Sequence, residues 1–428
     1  MTSTVATLSE PPSHTRKQRR SSIVPSTMAL YALFAAVIGL PMVTNFYRLS
    51  SSVSFGTALA ALAIVALQSA HGARARFTKH VPLLALVVTL GVALHLGLAA
   101  MLGNVDLVRG LGTVPLLAIC IVGAAAAADL LSRARQAQLR HVVHRCTQVL
   151  LVLGFWGGLG LPEPSFGDWS KPIFPFTEPS HFAVTIGPYL IFTCITSRTS
   201  ARLAYVGAAL LATVLLQSTT LAAIVFLTLL LCLRLRHVLI VCALIAPLLA
   251  SLDLTYYLSR LDFSGEADNL TTLVYLQGWQ LIGESWDASH WLGIGFQQLG
   301  VFGSDVSAAQ LIAAILHDAD ASLNLFDGGF TLAKILSEFG IFGAALLLAF
   351  ASILLRAAAR LHRHVTRLRH HAPGSQAGEI GMLLACAFIV GSLFELFLRG
   401  IGYFTPTSLM VLASLWMWWK QPTQEASA

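Results

Sequence analysis

Residues 202–233 read RLAYVGAALLATVLLQSTTLAAIVFLTLLLCL, and their division decides the orientation of everything that follows them. One membrane crossing takes about 20 apolar residues, so this run reads either as one long helix or as two short ones. Its middle carries the polar tetrad Gln217, Ser218, Thr219, Thr220, which must then form a tight turn. With two helices here, the long polar segment 253–330 lies on the far side of the membrane. With one, it moves to the cytoplasm. The reading adopted is two.

Outward from this run the chain repeats the same signature. Of its 428 residues 56% are hydrophobic and only 11% charged, and the mean hydropathy is +0.73. Soluble domains carry about 25% charged residues. The sequence predicts an all-α polytopic membrane protein of about twelve transmembrane helices. They are expected near 28–46, 54–70, 80–102, 111–131, 144–161, 180–196, 202–217, 219–233, 237–252, 331–355, 379–398 and 403–419. Residues 1–27 form a basic cytoplasmic tail, 28–252 hold helices one to nine, and 253–330 make one large periplasmic loop. Helices ten to twelve occupy 331–419, and 420–428 is a second cytoplasmic tail. Basic residues ahead of the first span suggest a signal peptide, but no small-residue cleavage site follows, so an uncleaved helix is expected.

Charge gives the orientation. Lysine and arginine in short loops favour the cytoplasmic side, and with the N-terminus inside, twenty-one of the twenty-seven basic residues fall there. The exceptions are Arg48, Arg109, Lys171, Arg260, Lys334 and Arg399. Sixteen of the twenty acidic residues lie on or beside the opposite face. The net charge of +7 therefore reports topology, and nucleic acid is not an expected partner. The six cysteines lie in or beside apolar runs, without disulfide or zinc spacing.

The large loop spans 78 residues. Segments 269–286 and 305–317 are half apolar at helical spacing and are expected to lie along the membrane surface. Between them GIGFQQLGVFG, residues 293–303, predicts a close-packed turn. A shorter, proline-rich loop precedes the sixth span and ends in Thr177, Glu178, Pro179, Ser180 and His181. Thr177 is the expected N-cap, with Glu178 facing the positive helix end and Pro179 in the first turn. His181 titrates near neutrality in its ordinary state, so at the outer surface it can also take a proton from a sugar hydroxyl.

Outer cations run against the orientation bias and invite a ligand, such as a lipid-linked pyrophosphate whose departing charge they stabilise. Lys334 and Arg399 stand at outer span ends; Arg109, Lys171 and Arg260 complete the set. Each of the first two has a structural alternative: Arg399 lies four residues after Glu395, and Lys334 four before Glu338, so each has a potential intrahelical partner. Segment 317–330 gathers His317, Asp318, Asp320, Asn324 and Asp327. Asp318 and Asp320 match the D-x-D spacing of nucleotide-sugar sites, but nucleotide sugars are not expected outside the cytoplasm. Asp327 is either a turn residue before Gly328-Gly329 or a base that orients an acceptor hydroxyl. The span interiors are nearly free of ionisable groups, His95 and Glu395 being the main ones, which argues against an ion-coupled transporter.

Four features together resemble the Wzy-type bacterial polysaccharide polymerases, relatives of the O-antigen ligases. They are EPSHFA at 178–183, GWQLIGESWDASHWLGIGF at 278–296, DGGFTLAKILSEFGIFG at 327–343, and the arrangement of spans around one large loop. Among these proteins the chain looks most similar to the xanthan-type exopolysaccharide polymerases. It departs from the ligases in one place: where they carry a His-Asn pair nine residues before the glutamate of E-x-G-x-x-G, Gly329-Phe330 precede Glu338.

The resemblance implies a multi-pass protein of the bacterial inner membrane. Its activity would be a glycosyltransferase reaction that joins undecaprenyl-pyrophosphate-linked oligosaccharide repeats, without metal or other cofactor. Catalytic candidates are His181, Asp327, Glu178 and His317; candidates for substrate binding are Lys334, Arg399, Arg260, Lys171 and Arg109. Membrane lipid, and a chain-length regulator or export protein, are the expected partners. A lipid-linked glycan ligase and a flippase or transporter of lipid-linked sugars are the alternatives.

Overall fold

The computed structural model describes residues 24–49, 53–71, 80–103, 105–161, 173–233, 238, 270–301, 306–316, 325–370 and 380–420. These residues contain fourteen α-helices and no strand, apart from an isolated bridge between Ile173 and Phe176. The helices are α1 (Thr27–Phe46), α2 (Val53–Ala70), α3 (His80–Leu102), α4 (Leu107–Arg133), α5 (Gln136–Gly158), α6 (Pro179–Thr196), α7 (Thr199–Leu216) and α8 (Thr219–Cys232). After them come α9 (Leu270–Ala288), α10 (Ser307–Leu316), α11 (Thr331–His370), α12 (Ile380–Gly391), α13 (Leu393–Phe397) and α14 (Pro406–Trp419). Among the described residues, seven helical stretches are long and apolar enough to cross a membrane: α1, α2, α3, α4, α7, α11 and the run through α12 and α13. Helices α5, α6, α8 and α14 coincide with four more of the expected spans but are shorter or more polar. The segment expected at 237–252 lies outside the described residues except for Val238.

The deciding run forms two helices. Gln217 adopts the left-handed conformation (φ 49°, ψ 42°), which ends α7, and the Ser218 hydroxyl then accepts the Leu221 amide as the N-cap of α8. Left-handed backbone closes a helix by capping its last carbonyls. Arg202 shows that the chain reverses. From the first turn of α7 it donates to Cys194 O (2.7 Å) near the end of α6, to Ser197 O (3.2 Å), and to Cys232 O (3.2 Å) at the end of α8.

Such contacts sort helix ends into two levels. At one, Gln68 on α2 donates to Asp129 on α4 (2.9 Å), His144 on α5 meets Thr196 on α6 (2.8 Å), and Gly381 on α12 approaches Leu131 O and Met417. Arg133, Arg135, Arg140, Arg145, Arg198, Arg202 and the arginines late in α11 belong to this end. At the other, Thr57 on α2 donates to Phe404 O (3.1 Å), and the Asp106 amide before α4 donates to Gln298 (2.8 Å). Among the described residues, the basic ones there are Arg48, Arg109, Lys334 and Arg399. The charge asymmetry of the sequence is thus an asymmetry of the fold.

Helices α6 and α12 form the centre, buried from His181 to Thr196 and from Met382 to Gly391. They meet where Pro188 of α6 lies against Gly391: a Cβ there would be 2.6 Å from the proline ring. Helix α11 is broken near its start, because Gly340 (φ 53°, ψ −130°) leaves helical geometry. Helix α9 packs on the first part of α11, and α10 on α9. Within the expected segments 269–286 and 305–317, residues 270–286 and 307–316 are helical, and the glycine-rich stretch after α9 is a turn up to its last described residue, Val301.

Candidate functional site

The site is built where α6, α11 and the segment before α14 meet. The chain enters α6 through Ile173 and Phe176, whose backbones bond each other (2.9 and 2.5 Å) and whose side chains are buried. The Phe174 ring packs edge-on against Phe46 of α1, and Phe176 against Phe182. This fixes how Thr177 and Glu178 meet the helix. The capping expected of Thr177 is corrected: Glu178 occupies the N-cap position, and its side chain accepts no backbone amide of its own helix. The Thr177 hydroxyl is spent instead on His181 Nδ1 (3.0 Å), which holds the imidazole at 7% exposure.

The Glu178 carboxylate turns outward. Ser180 Oγ donates to Oε2 (2.7 Å), and Arg399 Nη2 donates to both oxygens (3.1 and 3.2 Å). Burial pushes this carboxyl up, but Arg399, with smaller contributions from His181 and Ser180, outweighs burial and holds it at about 2. The pairing of Arg399 with Glu395 expected from their spacing does not form. Helix α13 ends at Phe397, two residues before Arg399, and Glu395 turns instead toward the hydroxyls of Thr405 and Thr407.

Arg399 is delivered by a segment pinned just beyond it, at Gly400 and Tyr403. Gly400 N donates to Gly329 O (3.0 Å), and a Cβ on Gly400 would sit 2.5 Å from the Thr331 nitrogen. Tyr403 stacks on Phe296 at 5.5 Å with an interplanar angle of 19°. Asp327 comes against the same segment, with Oδ1 3.2 Å from where a Cβ on Gly402 would be.

Lys334 and Glu338 form the intrahelical pair allowed by their spacing (3.4 Å), and both side chains are sealed, at 2% and 0% exposure. The ammonium also donates to Phe326 O. The carboxylate accepts the amides of Gln297 (2.8 Å) and Leu299 (3.2 Å). Beside it, Ile294 N donates to Ser337 O, Gly295 N to Glu338 O, and Ile341 N to Trp291 O. Gly293 and Gly340 face each other so closely that a Cβ on either would lie under 3 Å from the other's nitrogen or its neighbours. Glycine is required here by both space and positive φ. The segments 278–296 and 327–343 are thus interlocked through their backbones. Lys334 thus forms the intrahelical pair that its spacing allows and stands inside this interlock.

Arg109, on α4, lies over the Phe326 ring at 4.3 Å. Phe326 therefore stands between the two cations, its carbonyl on Lys334 and its ring under Arg109. Of the sequence candidates, Glu178, His181 and Arg399 come together directly, and Asp327, Lys334 and Arg109 gather around residues 326–327. His317, Lys171 and Arg260 lie outside the described residues. Residues not singled out from sequence include Ser180, Tyr403 and Gln298; the last pins the turn to α4 through both the amide and the carbonyl of Asp106. Nothing local distinguishes them. No protein-family model and no curated protein matches this chain.

Proposed function

We propose that the protein is a Wzy-type polymerase with about twelve spans, placed in the bacterial inner membrane with its basic end in the cytoplasm. It joins polyprenyl-pyrophosphate-linked oligosaccharide repeats at the periplasmic face. One observation carries the reading: the segments EPSHFA, 278–296 and 327–343, far apart in sequence, converge at the end opposite the basic one. There they leave a cation and a carboxylate open to solvent, Arg399 and Glu178, beside the buried imidazole of His181. A transferase using a lipid pyrophosphate needs little more. Pyrophosphate is a good leaving group, so the protein's tasks are to remove a proton from the acceptor hydroxyl and to stabilise the departing charge.

In this reading the acceptor oxygen forms its bond to the anomeric carbon of the growing glycan while the bond from that carbon to pyrophosphate breaks. The bonding pair leaves with the phosphate, which Arg399 and Arg109 meet. His181, held through Nδ1 by Thr177, or the neighbouring Glu178 takes the hydroxyl proton. Lys334 and Glu338 hold the frame.

Deletion of the gene, followed by isolation of lipid-linked glycans, tests the assignment. Accumulation of single repeat units with no polymer is expected. Long polymer retained on lipid identifies a ligase instead, and repeat units confined to the cytoplasmic leaflet identify a flippase.

A further inference from the structure

Two ion pairs sit at the loop end of the fold, and they are built for different purposes. Lys334 and Glu338 are sealed from solvent, and their remaining valences are filled by a carbonyl and two amides. Arg399 and Glu178 are open, with side-chain exposures of 21% and 42%. A single nitrogen, Nη2, serves both carboxylate oxygens, in place of the two parallel bonds of a fork-to-fork pair. Glu178 caps none of the backbone amides of its helix, and besides Arg399 it accepts from the short, local Ser180 hydroxyl. Arg399, by contrast, is carried on a segment clamped at Gly400 and Tyr403. The cation is fixed and its anion is replaceable.

We infer that the Glu178 carboxylate is a placeholder for the pyrophosphate of the lipid-linked substrate: it occupies Arg399 in the resting protein and is exchanged for the incoming anion. The inference rests on the polymerase reading and names how its site is kept closed. A phosphate group offers several charged oxygens to the same guanidinium and displaces a monovalent carboxylate held through one nitrogen. Once displaced, Glu178 loses the neighbour that keeps it a weak base, while its partial burial remains. Its affinity for a proton rises where the acceptor hydroxyl must lose one. Binding of the donor and readiness of a base are thereby linked through one residue.

A closed resting state lowers apparent affinity by the fraction of protein in the competent state, so removing the placeholder must tighten binding. The full-length protein in detergent is titrated with farnesyl pyrophosphate, with farnesol as the control that lacks the anion. Glu178→Gln and Glu178→Ala are each expected to lower Kd by about five-fold, and Arg399→Gln to abolish the difference between the two ligands. Each variant is scored only as a monodisperse protein with a cooperative melt, and two Glu178 variants guard against the failure of one. Unchanged or weaker binding in both, with Arg399 still required, overturns the exchange while leaving the polymerase reading intact. If wild type does not distinguish farnesyl pyrophosphate from farnesol, the exchange is overturned as well. The polymerase reading is then decided by the accumulated lipid-linked glycans.

Discussion

Arg202, in the first turn of α7, donates Nη1 to the carbonyl of Cys232 at the end of α8, 3.2 Å away. The two residues belong to helices whose separation is the least certain feature of the sequence, and their contact fixes the reversal between them. The same guanidinium closes Cys194 O and Ser197 O, so one side chain at 5% exposure satisfies three carbonyls left over at helix ends.

Replacement of Arg202 by alanine therefore strands three acceptors. The expected loss is about 3 kcal/mol, seen as a lower melting midpoint of the detergent-solubilised protein. Arg202→Lys, which presents one nitrogen in place of three, is expected to fall between the two. A midpoint unchanged in Arg202→Ala would mean that the reversal is held by packing alone.

Gly340 leads to a second prediction. A Cβ at this position would lie 2.1 Å from Trp291 O, and its φ of 53° is unfavourable for any other residue here. Gly340→Ala is expected to break the interlock between α11 and the turn after α9, costing about 3 kcal/mol or more. Gly283, within α9, has nothing within 4 Å of its Cβ position, so Gly283→Ala is expected to be neutral or stabilising by up to about 1 kcal/mol. Limited proteolysis at the α9 to α11 segment, compared between the two variants, provides the check.

Much of this architecture is legible in hydropathy because a membrane helix announces itself by length and composition. Eleven of the expected segments coincide with described helices. Helix α5 begins at Gln136, about two turns before the expected span, because Arg140, His141 and Arg145 lower the hydropathy of residues that still continue the helix. The site is less legible, and the two ion pairs show why. Lys334 and Glu338 are one helical turn apart, so spacing alone names the partner. The partner of Arg399 lies 221 residues away, and it replaces the local candidate Glu395 because the helix stops at Phe397. Thr177 stands at the position of a cap, but a hydroxyl beside an imidazole one turn on has a competing acceptor or donor.

The interlock at Glu338 should be asymmetric toward its two ends. Without its carboxylate, Lys334 stays buried against a single carbonyl and two amides are orphaned; without Lys334, the carboxylate keeps both amides. Glu338→Ala is expected to cost about 4 kcal/mol and Lys334→Met distinctly less. A double-mutant cycle on melting midpoints measures the coupling. Equal costs would show that the amides of Gln297 and Leu299 contribute little.

Acid should act on Glu178 in a defined window. Its carboxyl is held at about 2 in the folded protein, below its ordinary value of 4.5. Stability from its pairing with Arg399 is therefore fully present above about 4.5 and is lost as pH falls toward 2. The difference in melting midpoint between wild type and Glu178→Gln is expected to be constant from pH 8 to 5 and to shrink below. A difference that disappears already at about pH 6 would contradict a carboxyl held low by Arg399.

The sharpest test of what Arg399 is for comes from reversing the pair. An ion pair that serves only structure is nearly indifferent to which residue carries which sign, because the attraction depends on the product of the charges and on distance. A pair whose cation must also meet a phosphate is not indifferent. Reversal moves that cation from the segment clamped at Gly400 and Tyr403 to the unclamped N-cap of α6. Either single change, Glu178→Arg or Arg399→Glu, sets like charges about 3 Å apart and is expected to lower both the melting midpoint and the polymer made in cells. The double variant Glu178→Arg with Arg399→Glu is expected to regain much of the midpoint while polymer stays at least about ten-fold below wild type, equivalent to about 1.4 kcal/mol of lost transition-state stabilisation. Recovery of polymer in step with stability would show that Arg399 acts only by holding α6 in place, and the search for the phosphate cation would then move to Arg109.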